Sequence, residues 1–206
     1  MIKISISCNM SNSKPKIVGI VGSGRKNSNS KKLLTVALES AESLGCETKI
    51  VDILDLNFSE CRACNNCALT GKCVISDELS SLFAALDGAD AVIISTPVYF
   101  YGMPGKLKLF VDRFQMYWAR RYKLGIEPKN IRPGGLISIA GSKGAKSFDG
   151  IILTIKYFYL IQGIELATPL LFSEWDGMPE NLPQDFLQKA SVYGEQIALR
   201  ITLGNK

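Results

Sequence analysis

Five short runs rich in β-branched residues, each separated from the next by a helix-length stretch, leave this chain very few folds. Lys16–Val21, Thr48–Asp52, Ala91–Ser95, Gly135–Ala140 and Leu166–Phe172 read as strands. Between them, apolar residues recur at helical spacing: Leu33, Leu34, Val36, Ala37, Ala41 and Leu44 in one segment, and Leu79, Leu82, Phe83 and Leu86 in the next. Further helices are expected from Pro104 to about Arg120, from Phe148 to Ile161 and from Pro183 to Thr202. Strands joined by helical crossovers form a parallel sheet with both faces covered. The expectation is an α/β fold, a doubly wound five-stranded parallel sheet, with the flavodoxin-like order 2-1-3-4-5 as one of two common solutions. A chain of 206 residues suffices for one such domain, here 16–206, with residues 1–15 as a separate extension.

Four cysteines fall within residues 57–76, a loop that follows the second strand: Cys61, Cys64, Cys67 and Cys73, written C-x2-C-x2-C-x5-C. The first three share the spacing that opens bacterial ferredoxin cluster loops; the fourth comes later and lacks the following proline. Thiolates two residues apart can wrap one small inorganic body with backbone turns alone, whereas zinc modules usually bring two pairs together from separate hairpins. An iron–sulfur cluster is the leading reading, with zinc, disulfides or unligated redox-active thiols as alternatives. The N-terminus, Met1–Cys8, alternates apolar and polar residues, unlike a secretory signal, so a cytoplasmic and reducing location is expected. Cys8 and Cys46 stand alone and read as small hydrophobes.

The chain has no histidine, which removes Ser-His-Asp hydrolysis, His-ligated zinc catalysis and Rieske centres together. Any chemistry then falls to a cofactor, and no catalytic side chain is assigned. The net charge of +5 is scattered, without a basic stripe, and no apolar run reaches transmembrane length. Neither a nucleic acid nor a membrane is an expected partner.

Ligands of open α/β sheets bind outside the carboxyl ends of the strands, and three loops there carry suitable chemistry. In Gly22–Ser30, the hydroxyls of Ser23, Ser28 and Ser30, the Asn29 amide and the Arg25 guanidinium can surround a phosphate at a helix N-terminus. Arg25-Lys26 stands where a P-loop needs Lys-Ser/Thr, and Asn27 stands where a dinucleotide fingerprint needs its third glycine. Asp52 is the remaining candidate for a ribose. A serine-rich cup of this kind suits a monophosphate such as that of FMN; the alternative is an N-capping turn with no ligand. The second loop, Pro97-Val98-Tyr99-Phe100-Tyr101-Gly102-Met103, places three aromatics in a row, which cannot all face one core and suit a flat ring system. The third, with Gly141, Ser142 and Lys143, offers backbone donors and a cation to a ring edge that becomes negative on reduction.

Taken together, Ile20–Ser30, the Cys61–Cys73 run leading into Val74–Asp77, and Ser95–Lys108 through Asp112-Arg113 resemble the NAD(P)H-dependent FMN reductase superfamily, and within it the iron–sulfur flavoproteins of anaerobic microbes. The resemblance implies a flavodoxin-like FMN-binding domain. The FMN phosphate would lie on Ser23, Arg25, Ser28, Asn29 and Ser30, and the isoalloxazine against Pro97 to Met103. It also implies a [4Fe–4S] cluster on Cys61, Cys64, Cys67 and Cys73, and a homodimer or homotetramer in which one subunit's cluster lies near another's FMN. Electrons would pass between a two-electron donor or acceptor, NAD(P)H among them, and a ferredoxin-like carrier or small-molecule acceptor. The phosphate loop departs from the pattern, with Gly24 and Ser28 where many relatives carry proline and glycine. The rival functions are a cluster-free NAD(P)H-dependent FMN or quinone reductase, a non-enzymatic electron carrier or redox sensor, and a plain nucleotide-binding domain.

Overall fold

In the first strand, β1 (Lys16–Val21), every residue after Lys16 is buried. The pleat sends Val18 and Ile20 into one core and Ile17 and Val21 into the other. Burial on both faces is why the run is apolar throughout instead of alternating. The computed structural model that shows this describes residues 13–144, 146–176 and 181–204. Cys8 and most of the 1–15 extension lie outside the described residues.

The remaining strands are β2 (Glu47–Asp52), β3 (Ala91–Pro97), β4 (Arg132–Ile139), β5 (Ile164–Leu166) and β6 (Leu170–Phe172). All pairings are parallel, in the order β2-β1-β3-β4-β5, with β6 also on β4. The expected 2-1-3-4-5 order is present. β2 lies at the edge, and four of its six residues are not buried, matching its Glu47, Thr48 and Lys49.

The described residues form seven α-helices: α1 (Asn29–Ser43), α2 (Asn66–Thr70), α3 (Leu79–Asp87), α4 (Gly105–Asp112), α5 (Gln115–Leu124), α6 (Asp149–Leu160) and α7 (Gln184–Gly204), of which the short α2 lies in the cysteine loop against α5. α1 and α7 close one face of the sheet through Leu33, Leu34, Ala37, Ala190 and Ile197. The helices α3 to α6 close the other, around Phe83, Phe110, Phe114, Tyr117 and Phe158. No helix among the described residues is long and apolar enough to cross a membrane.

Two elements differ from the sequence expectation. The fifth strand is split, because Pro169 has no N–H to donate to the ladder; β5 pairs with Arg132–Gly134 and β6 with Ile137–Ile139. The helix expected from Pro104 to Arg120 is broken at Arg113-Phe114. There the Phe114 N–H donates to the Val111 carbonyl at 3.0 Å and the Tyr117 N–H to the Phe114 carbonyl at 2.8 Å, so one turn tightens to i→i+3 spacing. The tightening seats Phe114 between Phe83, at 5.1 Å, and Phe158, at 4.6 Å between ring centroids. A short 3-10 turn, Ile53–Asp55, also separates β2 from the cysteine loop.

Because the strands are parallel, the segments after β1, β2, β3 and β4 all emerge at one edge. Val21 lies beside Asp52 and Ser95, and Pro97 lies beside Ile139. The phosphate-type loop, the cysteine loop, the aromatic loop and the Gly141–Lys143 loop therefore share the carboxyl edge, around the switch in strand order between β1 and β3.

Candidate functional site

The loop after β1 is drawn against β3: the Gly22 N–H donates to the Ser95 carbonyl at 2.8 Å. A Cβ at Gly22 would fall 2.4 Å from the buried Leu107 side chain, so a larger residue here would have to displace that side chain. Ser23, Ser28 and Ser30 are buried, Asn29 is half-buried and Arg25 is exposed. Ser28 caps α1, its Oγ accepting the Lys31 N–H at 3.1 Å; the Ser23 Oγ accepts the Arg25 N–H at 3.2 Å. A hydroxyl that accepts still carries its own proton, so both keep a donor for an incoming oxyanion. Ser30 is pinned from below, its carbonyl accepting the Ser95 hydroxyl at 2.8 Å. This is a cup of small donors at the positive end of a fifteen-residue helix.

Asp52 does not face this cup as a free carboxylate. One oxygen accepts the Leu54 N–H at 3.0 Å and the other pairs with Lys31 Nζ at 3.1 Å. Its burial is explained by these two partners, without a ribose.

The aromatic loop folds as a tight turn. Tyr99 and Gly102 exchange two backbone hydrogen bonds of 2.9 Å, and Phe100 and Tyr101 between them adopt φ of 50° and 62°. Two bulky residues in left-handed conformation at the tip are strained, and strain of this kind concentrates at functional sites. Val98 and Met103 pack on the core, and Pro97 is half-buried. Phe100 is fully exposed, at 103 %, with Tyr99 and Tyr101 also out of the core. The three aromatics do not enter one core, as the spacing implied.

The third loop is less available. Gly141 is backed by Asp176, whose N–H donates to the Gly141 carbonyl at 3.1 Å. Ser142 is exposed, and Lys143 pairs with Glu174 at 3.0 Å across solvent. A surface pair of this type is weak and leaves Lys143 able to exchange partners.

The cysteine loop is built from left-handed turns. Ala63 (φ 49°) and Asn65 (φ 60°) alternate with the cysteines, and Gly71 (φ 68°) ends α2. Each non-glycine left-handed residue costs about 1 kcal/mol, and the reversals bring Cys61, Cys64, Cys67 and Cys73 to one cavity of about 230 Å³. All four thiols are free, Cys64 exposed and the others half-buried. Burial pushes the Cys67 thiol up, and the other three sulfurs add to the effect, which marks them as electrostatic neighbours. Among the described residues no three such side chains close on a single metal-sized point. The donor set nevertheless fits a thiolate-bound cluster, since four unpaired sulfurs around one cavity supply a full ligand set. Cys46 is buried elsewhere, with its thiol raised by desolvation, as a small hydrophobe would be.

Beneath the cavity lies Arg113, 1 % exposed. Its Nη1 donates to the Ser59 carbonyl at 2.9 Å and to Asp77. Its Nη2 reaches Asp77 at 3.3 Å and the Cys73 sulfur at 3.6 Å. Burial alone would raise the Asp77 carboxyl, but the Arg113 hydrogen bond and charge, with the Ser59 and Leu79 N–H groups, hold it below the usual range. Arg120 ties the loop from the other side, donating to the Gly71 carbonyl at 2.8 Å.

A family model described as NADPH-dependent FMN reductase matches residues 15–150, the stretch that contains the serine cup, the cysteine loop and the aromatic turn. The chain belongs to this family. An iron–sulfur flavoprotein of Archaeoglobus fulgidus is 37 % identical over 186 residues, covering 89 % of this chain and 79 % of that protein. An iron–sulfur flavoprotein of Methanocaldococcus jannaschii is 31 % identical over 149 residues, covering 72 % and 74 %. Among solved structures, a flavone reductase superposes with a TM-score of 0.66 at 18 % identity, over 91 % of this chain and 63 % of that longer one, a likeness of fold. This FMN reductase family member is accordingly a flavoprotein and a flavin-dependent oxidoreductase.

The cavity-lining residue that the sequence did not single out as a site residue is Arg113. It sits in an apolar helical segment with no motif of its own beyond the Asp112-Arg113 pair. Its partners Ser59, Cys73 and Asp77 lie far back along the chain. Only the burial of a cation could have flagged it, and burial is a property of the fold.

Proposed function

We propose that the protein transfers electrons between a two-electron donor or acceptor and a one-electron carrier, using FMN and a [4Fe–4S] cluster. The observation that carries this reading is the placement of four free cysteines around one cavity at the edge of the sheet that also bears the serine cup and the aromatic turn. In this reading Ser23, Arg25, Ser28, Asn29 and Ser30 hold the FMN phosphate, and Pro97 to Met103 with Gly141, Ser142 and Lys143 surround the isoalloxazine. Cys61, Cys64, Cys67 and Cys73 bind the cluster. Bound FMN supplies the conversion between two-electron and one-electron chemistry, and the cluster supplies the one-electron outlet.

The chain's own side chains bind, orient and shield. Ser28 and Ser23 turn their hydroxyl protons to the phosphate, and the α1 N-terminus stabilises its charge. Tyr99, Phe100 and Tyr101 offer flat apolar faces that exclude water from a ring. With no histidine in the chain, none of these groups needs to act as an acid or base near neutral pH. The carrier is of ferredoxin type, the subunits associate as dimers or tetramers, and the location is cytoplasmic. NAD(P)H is the two-electron partner to be tested.

Anaerobic purification with visible spectra, iron and sulfide analysis tests the reading: flavin absorption over a broad cluster band, with about four irons per chain, supports it. A second reading, a cluster-free NAD(P)H-dependent FMN or quinone reductase, is favoured by the failure of three thiols to meet at one point. Flavin with little iron even after anaerobic reconstitution would select it.

A further inference from the structure

The guanidinium of Arg113 has five N–H donors in a fixed fork, and four of them are accounted for. Nη1 serves Ser59 and Asp77; Nη2 serves Asp77, with the Ile75 carbonyl at 3.4 Å and the Cys73 sulfur at 3.6 Å. The fifth, Nε–H, has no partner, the single buried unpartnered side-chain nitrogen or oxygen among the described residues. Leaving a charged donor unpaired in the interior is expensive, so a structure that retains one calls for an explanation.

Asp77 occupies the end of the fork formed by Nη1 and Nη2. Covalent geometry then places the Nε–H on the remaining edge, alongside the second Nη2 proton, and Nη2 is the nitrogen that touches Cys73. Arg113 itself lines the cysteine cavity with Cys61, Cys64, Cys67 and Cys73. The Arg113–Asp77 pair, with side chains 0 % and 13 % exposed, is thus oriented with its carboxylate away and its open donor edge towards sulfur.

We propose that Arg113 is a hydrogen-bond donor to the iron–sulfur cluster, its Nε–H and Nη2–H edge directed at cluster sulfur, and that it sets the cluster's reduction potential. The inference rests on the cluster reading above and names a residue for it outside the four ligands. Adding an electron makes the cluster more negative, and a donor edge carrying positive charge in a water-poor site stabilises that form. Arg113 therefore raises the potential, and Asp77, by partly neutralising the guanidinium from the far side, restrains the rise.

The two residues predict shifts of opposite sign. The cluster potential is to be measured by an EPR-monitored redox titration of anaerobically reconstituted full-length protein: wild type, Arg113→Lys, Arg113→Gln and Asp77→Asn. Iron, sulfide and FMN content are recorded for each. Arg113→Gln should favour the oxidised cluster by at least tenfold, which is 59 mV lower for a one-electron couple. Arg113→Lys, which keeps the charge but loses the fork, should fall between it and wild type. Asp77→Asn should shift the potential upward, and it supplies the readout if the arginine variants fail to take up a cluster. Loaded variants with wild-type potentials would overturn the inference while leaving the cluster reading intact, because Arg113 would then merely hold Ser59 and Asp77 in place. A wild-type protein that binds FMN but takes up no cluster on reconstitution would overturn the cluster reading itself, and the inference with it.

Discussion

A Cβ added to Gly150 would fall 2.3 Å from the carbonyl oxygen of Tyr101. The first turn of α6 is thus pressed against the backbone of the aromatic turn, at the residue whose left-handed conformation shapes its tip. Neither atom can yield like a flexible side chain, so any larger residue at 150 must move the turn or the helix. Gly150→Ala is expected to cost about 1–3 kcal/mol as overpacking and to weaken FMN binding disproportionately. The exposed Phe100→Ala should leave the melting temperature of the apoprotein nearly unchanged while also weakening FMN. Thermal denaturation with and without FMN, alongside flavin-fluorescence titration, separates the two effects; equal affinity in both variants and wild type would remove the turn from the flavin site.

Ser28 combines a structural role with a proposed binding role, and one substitution divides them. Aspartate caps helices as well as serine does, so Ser28→Asp should keep the apoprotein's stability within about 0.5 kcal/mol. Its carboxylate would nevertheless face the FMN phosphate, and affinity should fall by on the order of a hundredfold or more from like-charge repulsion in a partly buried cup. Isothermal titration of the apoprotein with FMN gives the answer. Retained affinity would mean that the cup is an N-capping turn and the phosphate lies elsewhere.

Cys64 and Cys46 make a matched pair for the cluster assignment. Cys64→Ala should abolish the brown cluster absorption and lower the iron content while FMN remains bound. Cys46→Ala, in the α1–α7 core, should retain both cofactors and cost stability through a small cavity instead. Iron stoichiometry unchanged in Cys64→Ala would sink that ligand assignment.

Alkaline pH should destabilise the fold through its buried tyrosines. Burial pushes the Tyr193 phenol up to about 12, and those of Tyr117 and Tyr159 rise as well, again chiefly by burial. A raised folded-state value means that the neutral form is favoured in the native protein. The associated stability is complete below the unfolded value of about 10 and is lost as pH climbs through the folded value. For Tyr193 alone this amounts to about 3 kcal/mol between pH 10 and 12. Tyr193→Phe should flatten the slope of urea-unfolding stability against pH above 10. It should also lower stability at pH 7, because the Leu136 N–H loses its 3.0 Å acceptor. An unchanged alkaline slope in the variant would exclude Tyr193 as a contributor.

Much of the fold was legible from local pattern. The apolar runs at Lys16–Val21 and Ala91–Ser95 lie in buried strands, and Ser28, Leu33, Leu34 and Ala37 announced the start and inner face of α1. Pro169 carried the signal for the split of β5 from β6, since a missing N–H interrupts a ladder wherever it falls. The break at Arg113-Phe114 had no comparable signal. It follows from the packing of Phe114 among rings contributed by α3 and α6. The same holds for Lys143, whose partner Glu174 comes from a different loop.

The sequence by itself determined which residues could do chemistry and at which edge they would emerge. Strand periodicity, helix-length crossovers and cysteine spacing are short-range properties, and parallel pairing then carries every post-strand loop to the same side. Tertiary structure alone decided which of those groups remain free. It committed Asp52 to Lys31, turned Phe100 into solvent and buried Arg113 with one donor open beneath the cysteines. Burial and partner choice depend on contacts between residues tens of positions apart, and the cost of an unpaired donor or charge exists only after the fold has removed its water.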